Sequence, residues 1–187
     1  MRRIIYLLVG AATLLPLSSC LKESEEETNE EKYKQWKLDN EAFIQNASLQ
    51  RDEQGEPFYT RAVPVWAPQI YALLRWHNDR SLTADSLRPL SNSTVRVIYS
   101  GELYDGTEFD NSYSMTTNGD SIYQTQPQTN IPGFWIALEN MHVGDSVTAV
   151  VPWQAGYGYT GTSGIKPFST LVFHIKLKSI VHYQTPS

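Results

Sequence analysis

The stretch that decides the fold is VRVIYSGELYDGTEFD, residues 95–110. Apolar side chains alternate with polar ones through its first half, and this period of two is typical of a strand with one buried face. Asp105-Gly106 follows, a pair that tolerates the positive φ angles of a tight turn, so a return strand is predicted. Tyr99 and Asp110 then lie near the bend of one hairpin. A hydroxyl and a carboxylate on largely apolar strands need either water or a function.

The composition of the chain limits the classes of function. With 187 residues, 41% apolar and 19% charged, the chain predicts one globular domain with extensions. A net charge of −5 and a pI near 5.3 argue against a nucleic-acid surface. The four histidines lack metal-ligand spacing, and the sequence contains no nucleophile elbow or phosphate-binding glycine loop. We therefore expect neither a metal nor a cofactor.

The N-terminus predicts export. Arg2-Arg3 precedes an apolar run from residue 4 to residue 17, which is too short to cross a membrane comfortably. The tetrapeptide that begins at the end of this run, Leu17 to Cys20, resembles a bacterial lipobox. In a lipobox the cysteine thiol is lipidated, and cleavage makes this cysteine the first residue of the mature protein. We expect a signal peptide over residues 1–19 and a lipid anchor in the bacterial cell envelope, on an outer membrane and facing the periplasm or the exterior. The alternative is an ordinary signal peptide with a chance cysteine.

The segments that follow the predicted anchor form an extension. Residues 20–31 are rich in glutamate and are predicted to be a flexible, solvated tether. Residues 32–89 are predicted to contain a helix and then strands. The helix, at residues 30–50, has apolar side chains at three- and four-residue spacings, so one face must be covered. That cover is either the main domain or a second copy of the chain.

The rest of the chain reads as an α+β fold. Residues 134–141 have the spacing of a short helix, whereas residues 146–151 and 170–180 alternate as strands. Residues 111–130 are polar and are expected to form a long functional or mobile loop. These patterns predict a mostly antiparallel sheet with one short helix across it.

The chemistry points to binding rather than to acid–base catalysis. Glu102, Asp105, Glu108 and Asp110 are close in sequence, but most of them sit at a turn or on an outward face. What remains is a set of apolar and aromatic residues with a few polar groups, which is typical of a binding pocket. Its members come from separate segments next to turns: Tyr99, Phe109, Asp110, Ile131, Phe134, Tyr157 and Phe173.

Residues 90–187 resemble an FKBP-type peptidyl-prolyl isomerase domain. Four segments occur in that family's order: the hairpin at 95–110, the IPGF motif at 131–134 with its following helix and turn, Tyr157-Gly158, and IKPFSTLVF at 165–173. The resemblance implies a twisted antiparallel sheet wrapped on one short helix. In this chain the fold has an extra N-terminal helix.

The resemblance also implies roles for single residues. The implied catalytic residues are Tyr99, Phe109, Asp110 and Tyr157, and the implied substrate-binding residues are Ile131, Phe134, Ile165 and Phe173. Phe134 stands where the family usually has tryptophan, and Lys166 and Phe168 alter the usual Pro-Pro loop. Either Ile122 or Tyr123 could supply a further pocket aromatic, and the sequence leaves that choice open.

These residues predict a proline isomerase that acts on proline-containing polypeptides. Peptide-bond rotation faces about 18–20 kcal/mol, and a water-poor aromatic pocket favours the less polar, twisted amide. Such catalysis requires no nucleophile or cofactor. The alternative is a non-catalytic module in which the same groove binds a partner and the helix at 30–50 mediates self-association.

Overall fold

The structure, a computed structural model, describes residues 24–114 and 121–183. Cys20 and the predicted signal peptide lie outside the described residues. Three α-helices are present in the described part of the chain: α1 (Glu25–Lys32), α2 (Lys34–Leu49) and α3 (Pro132–Asn140). The strands there are β1 (Thr60–Ala62), β2 (Ala72–Trp76), β3 (Thr94–Leu103), β4 (Glu108–Asn111), β5 (Tyr123–Thr125), β6 (Ser146–Val151) and β7 (Leu171–His182).

These strands form one antiparallel sheet, which confirms the predicted α+β class. Its order is β1-β2-β6-β7-β3-β4, and β5 pairs with β3 beside β4. The long strands β3 and β7 lie at its centre and pair along their whole length. None of the helices in the described ranges is long and apolar enough to cross a membrane.

The predicted hairpin is present as β3 and β4. Every second residue of β3 is buried, from Val95 to Leu103. Gly106 adopts a φ of 83°, a conformation that is strained for residues with a side chain, so glycine suits this turn. The register shifts by one residue after Gly101, and this bulge adds twist at the end that carries Asp110.

Helix α3 lies on one face of the sheet because most of its side chains are apolar. Pro132 is at its first turn, where a missing N–H is tolerated. Phe134, Ala137 and Leu138 are buried in the main core, as the spacing predicts. Gly133 permits close packing, because a Cβ there would overlap the side chain of Val151 on β6.

The other face of the sheet is partly covered by α2. Ile44 and Ala47 pack against Leu73 and Val150 in a second, smaller core. The apolar face of the predicted helix is therefore covered within the chain. This packing also buries Val150. Strand β6 is therefore buried on both faces, whereas its alternation predicted one buried face.

Two segments differ from the sequence-based expectations. The acidic segment, predicted to be a flexible tether, is helical from Glu25, because Ser24 and Glu27 form a reciprocal capping box at the start of α1. No residue of α1 is buried, so it is solvated as expected. The polar excursion at 111–130 is also not a single loop, since its second half forms β5 and a short 3₁₀ turn at Pro127–Thr129.

A buried carboxylate joins the extension to the main domain, and no sequence pattern pointed to it. Asp145 is fully buried and accepts hydrogen bonds from Asn78 Nδ2, Arg80 Nε, Thr83 Oγ1 and the His142 amide. Burial alone would raise the pKa of Asp145, but these hydrogen bonds and the Arg80 charge together lower it below its usual value.

Candidate active site

A cavity of about 260 Å³ lies between the N-terminal end of α3 and the β3–β4 end of the sheet. It is slightly smaller than the roughly 300–1,000 Å³ typical of sites for drug-sized ligands, so it suits one or two amino-acid residues. Seven of the eight cavity residues implied by the sequence meet here. The full lining is Tyr99, Phe109, Asp110, Tyr123, Thr129, Asn130, Ile131, Phe134, Tyr157 and Phe173.

Tyr99 and Asp110 form a hydrogen-bonded pair at one wall. The Tyr99 hydroxyl donates to Asp110 Oδ2 over 2.6 Å, and Tyr99 is only 5% exposed. Burial, followed by the hydrogen bond to Asp110 and its charge, raises the pKa of Tyr99 well above its usual value. The hydroxyl therefore stays protonated and holds the carboxylate in one orientation.

Three phenylalanines build the apolar part of the cavity. Phe173 on β7 meets Phe134 on α3 edge-to-face, with ring centroids 5.2 Å apart. It meets Phe109 on β4 in the same way, at 5.6 Å. Such edge-to-face pairs are favourable contacts that fix the rings relative to one another. The three rings thus form a rigid, shaped surface drawn from three separate elements.

Two donors border this apolar surface. Within residues 24–114 and 121–183, neither the Ile131 amide nor the Tyr157 hydroxyl has a hydrogen-bond partner. Both residues line the cavity. Burial raises the pKa of Tyr157, and the charge of Asp110 adds to that effect, so this hydroxyl also remains a donor at neutral pH. A bound peptide could accept hydrogen bonds from both groups.

Tyr123 completes the cavity, which resolves the choice that the sequence left open. It lies opposite Val97 in the register between β5 and β3, and its ring is 5.4 Å from that of Tyr99. Tyr123 rather than Ile122 is therefore among the residues that line the cavity. Sequence reasoning could not choose because β5 has only three residues and no clear alternation.

Ile165 does not line the cavity. Its side chain is buried, at 6% exposed, and packs in the main core. Its backbone closes a tight turn by bonding in both directions with Thr162. The loop from residue 156 to residue 164 is thereby folded back on itself, so the position that the resemblance assigned to the ligand faces inward instead.

Side chains of the types that bind metals do not cluster in the described part of the chain. Over residues 24–114 and 121–183, no group of three or more His, Cys, Asp or Glu side chains could hold a metal ion. His77 and His174 flank the Thr148 hydroxyl at 2.7 and 2.9 Å. Both histidines are exposed.

Comparison with known proteins places the cavity in a family. The profile of the FKBP-type peptidyl-prolyl cis-trans isomerases matches residues 86–178, which include all of the lining residues. FkpA, an FKBP-type peptidyl-prolyl cis-trans isomerase of Escherichia coli K12, is 40% identical over 92 residues, which are 49% of this chain and 33% of FkpA. The FKBP-type 22 kDa isomerase of the same strain is 38% identical over 94 residues, 50% of this chain and 44% of that protein. The chain thus spans less than half the length of these curated relatives.

Solved structures extend the similarity to the N-terminal extension. The crystal structure of Escherichia coli FkpA has a TM-score of 0.63 and 25% identity, covering 87% of this chain and 76% of that one. A peptidyl-prolyl isomerase from Pseudomonas syringae has a TM-score of 0.60 and 24% identity, covering 79% of this chain and 95% of that one, and shows a shared fold. Residues 86–178 therefore form an FKBP-type peptidyl-prolyl cis-trans isomerase domain.

Proposed function

We propose that this protein catalyses cis-trans isomerisation of peptide bonds that precede proline in other polypeptides. The observation that carries the proposal is the convergence of Tyr99, Asp110, Tyr157 and three phenylalanines on one cavity. The curated relatives FkpA and the 22 kDa protein bear the name of this activity.

The mechanism follows from the walls of the cavity. The proline ring would contact Phe109, Phe134 and Phe173, while the Ile131 amide and the Tyr157 hydroxyl would donate to substrate carbonyls. The planar amide is more polar than the twisted one, so a water-poor aromatic site stabilises the twisted state relative to the ground state. The uncatalysed reaction takes tens to hundreds of seconds, so moderate stabilisation of the twisted state is useful.

The test is a protease-coupled assay on an Ala-Pro peptide with the full-length protein in detergent. We expect turnover above the uncatalysed rate, and a loss of about tenfold or more in Phe109→Ala, whose ring forms one wall. The proposal would be wrong if the parent protein gave no rate above background while circular dichroism showed it to be folded.

A second candidate is a non-catalytic module that binds proline-containing peptides in the same cavity. The polar residues Tyr123, Thr129 and Asn130 in the lining favour it, since they make the cavity less apolar than three phenylalanines alone. Peptide titration separates the two functions. Binding without turnover supports the module, whereas a Tyr157→Phe variant that binds a partner normally but turns over slowly supports the enzyme.

We also propose that Cys20 carries a lipid that attaches the protein to a bacterial envelope membrane. The support is the lipobox-like sequence before Cys20. Cell fractionation should find the parent protein with membranes and a Cys20→Ser variant in the soluble fraction. Mass spectrometry of the mature N-terminus gives an independent check, and an unmodified Cys20 would contradict the anchor.

Self-association through the region 30–50 is the remaining proposal. The buried face of α2 is occupied within the chain, so a second copy would have to use exposed side chains such as Leu38 and Leu49. Analytical ultracentrifugation of the parent and a Leu38→Ser/Leu49→Ser variant tests this, with a dimer expected only for the parent.

A further inference from the structure

Helix α2 belongs to the extension, yet it contacts the segments that carry the cavity residues. It packs against the turn between β3 and β4, which leads to Phe109 and Asp110. It also packs against the return of the loop at 156–168, called here the flap loop, which carries Tyr157. No residue of α2 lines the cavity itself. Any influence of α2 on the site must therefore act through these two segments.

Trp36 connects both segments at once. Its ring meets Tyr104, in the β3–β4 turn, edge-on with centroids 5.0 Å apart. Its Nε1 donates to Ser169 Oγ over 3.2 Å, just after the flap loop. Ser169 Oγ in turn donates to the Lys166 carbonyl, and the Lys166 ammonium lies 4.3 Å above the Trp36 ring. One side chain thus fixes the hairpin turn relative to the flap loop.

Asn40 makes a second connection from the next turn of α2. It is fully buried, and its Oδ1 accepts from the Thr170 amide over 2.6 Å while its Nδ2 donates to the Trp36 carbonyl. The Thr170 hydroxyl returns a hydrogen bond to the Asn40 carbonyl. A buried amide is costly unless it is paired, so this arrangement tolerates little displacement. Thr170 directly precedes β7, whose third residue is Phe173.

The flap loop is itself held in a strained conformation. Phe168 is fully buried with a φ of 62°, a left-handed value that is unusual for a bulky side chain. Such a residue persists only when its surroundings determine it. Lys37 of α2 lies 5.0 Å above the Phe168 ring, and the Phe168 amide donates to the Gly158 carbonyl, next to Tyr157. Packing from α2 therefore reaches the residue beside the catalytic hydroxyl.

We infer that α2 is a brace for the active site, and that Trp36 and Asn40 are positioning residues that hold the β3–β4 turn and the flap loop in the geometry the cavity needs. The inference rests on the proposed isomerase function. Its physical basis is that small misplacements of groups around a reacting bond cause large losses of rate. In this role α2 would connect the N-terminal extension to the elements that carry the cavity residues without contacting the substrate.

The test uses four variants of the full-length protein. Trp36→Ala and Asn40→Ala remove the connections, whereas Trp36→Phe keeps the ring against Tyr104 and loses only the bond to Ser169. Gln45→Ala, at an exposed position on the same helix, is the matched control. Peptide turnover and amide hydrogen exchange are measured on each variant, with thermal unfolding used to correct for the folded fraction.

We expect both alanine variants to lose on the order of tenfold in kcat per folded molecule, with little change in KM. Exchange should accelerate in the flap loop and in residues 104–110. Trp36→Phe should lose less activity and accelerate exchange in the flap loop alone, and Gln45→Ala should match the parent. A merely structural role predicts losses in proportion to the unfolded fraction.

Either of two results would overturn the brace. The first is hydrogen exchange in both segments that matches the parent in Trp36→Phe and Asn40→Ala. The second is a kcat per folded molecule of the alanine variants within about twofold of the parent value. Should the alanine variants fail to fold, Trp36→Phe and Asn40→Asp, which keeps the acceptor for Thr170, decide by the same two readouts. A parent protein without turnover contradicts the proposed function instead. Exchange then decides on the brace alone.

Discussion

At the scale of single residues, the Tyr99–Asp110 pair sets the polarity of the cavity. A buried hydroxyl at 2.6 Å from a carboxylate satisfies both groups, and each fixes the position of the other. Their proximity follows from the hairpin, because both residues lie near its bend. What the hairpin alone could not show is that the pair faces an aromatic cavity rather than water.

The pair can be tested by a double-mutant cycle. Asp110→Ala leaves the buried Tyr99 hydroxyl without its acceptor, which costs about 1–3 kcal/mol. The same change made in a Tyr99→Phe background should cost clearly less, because no hydroxyl is left unpaired. Urea unfolding of the parent, both single variants and the double variant measures the coupling. Additive losses would contradict the contribution of the hydrogen bond.

The tyrosines also predict how stability depends on alkaline pH. Burial and the nearby Asp110 raise the pKa values of Tyr99 and Tyr157, whereas an unfolded tyrosine titrates near about 10. Above that pH the folded state retains protons that the unfolded state loses, so the free energy of unfolding falls as the pH rises. Urea unfolding between about pH 8 and about pH 11 should show this decline, and Tyr99→Phe should show a shallower one. Equal slopes would exclude Tyr99 as a source.

At the scale of elements, β3 determines the site because it pairs with β4, β5 and β7. It therefore brings Asp110, Tyr123 and Phe173 to one end of the sheet. Gly101 lies beside the rings of Phe109 and Phe173. A Cβ there would be 2.7 Å from Phe109 Cζ and 3.0 Å from Phe173 Cε1. The missing side chain makes room for the cavity wall.

Gly101→Ala should therefore reduce both activity and stability. The atoms that the new methyl group meets are at the far ends of aromatic rings, which can turn away at an overpacking cost of about 1–3 kcal/mol. Turning them distorts the proline-binding surface, and we expect kcat/KM to fall on the order of tenfold. Peptide turnover and thermal unfolding on the same sample measure both effects. A stability loss with unchanged kcat/KM would contradict the role of these rings.

At the scale of the whole molecule, the extension and the FKBP-type domain pack against each other. The segment at residues 78–83 reaches Asp145, in the turn between α3 and β6, through three side chains. On the opposite side, α2 supplies Asn40 to the start of β7. The extension is thus attached at two separate places, and we expect both parts to unfold together.

Asp145 is the position at which this attachment can be tested. Asp145→Ala leaves Asn78 Nδ2, Arg80 Nε and the His142 amide without their acceptor and removes the charge partner of Arg80. We expect a loss of about 3–5 kcal/mol. Because the pKa of Asp145 is lowered in the folded state, its stabilisation is present above about pH 4 and is lost as the pH falls further. Urea unfolding across this range should show a steeper acid decline for the parent than for Asp145→Ala. The exposed Asp85→Ala is the control, and it should leave the decline unchanged.

The amino-acid sequence by itself determined the hairpin, the short helix, the long terminal strand and most of the cavity residues. These features follow from local properties: alternation with a period of two, a turn residue that tolerates positive φ, and motifs in a fixed order. They could be predicted because each depends on neighbours within one segment.

Only the tertiary structure decided the rest. It selected Tyr123 through the register of a three-residue strand, turned Ile165 into the core, buried Asp145 under the extension, and placed α2 behind the active site. Each of these outcomes depends on contacts between residues far apart in the chain. The periodicity of one segment contains no information about which distant surface will cover it.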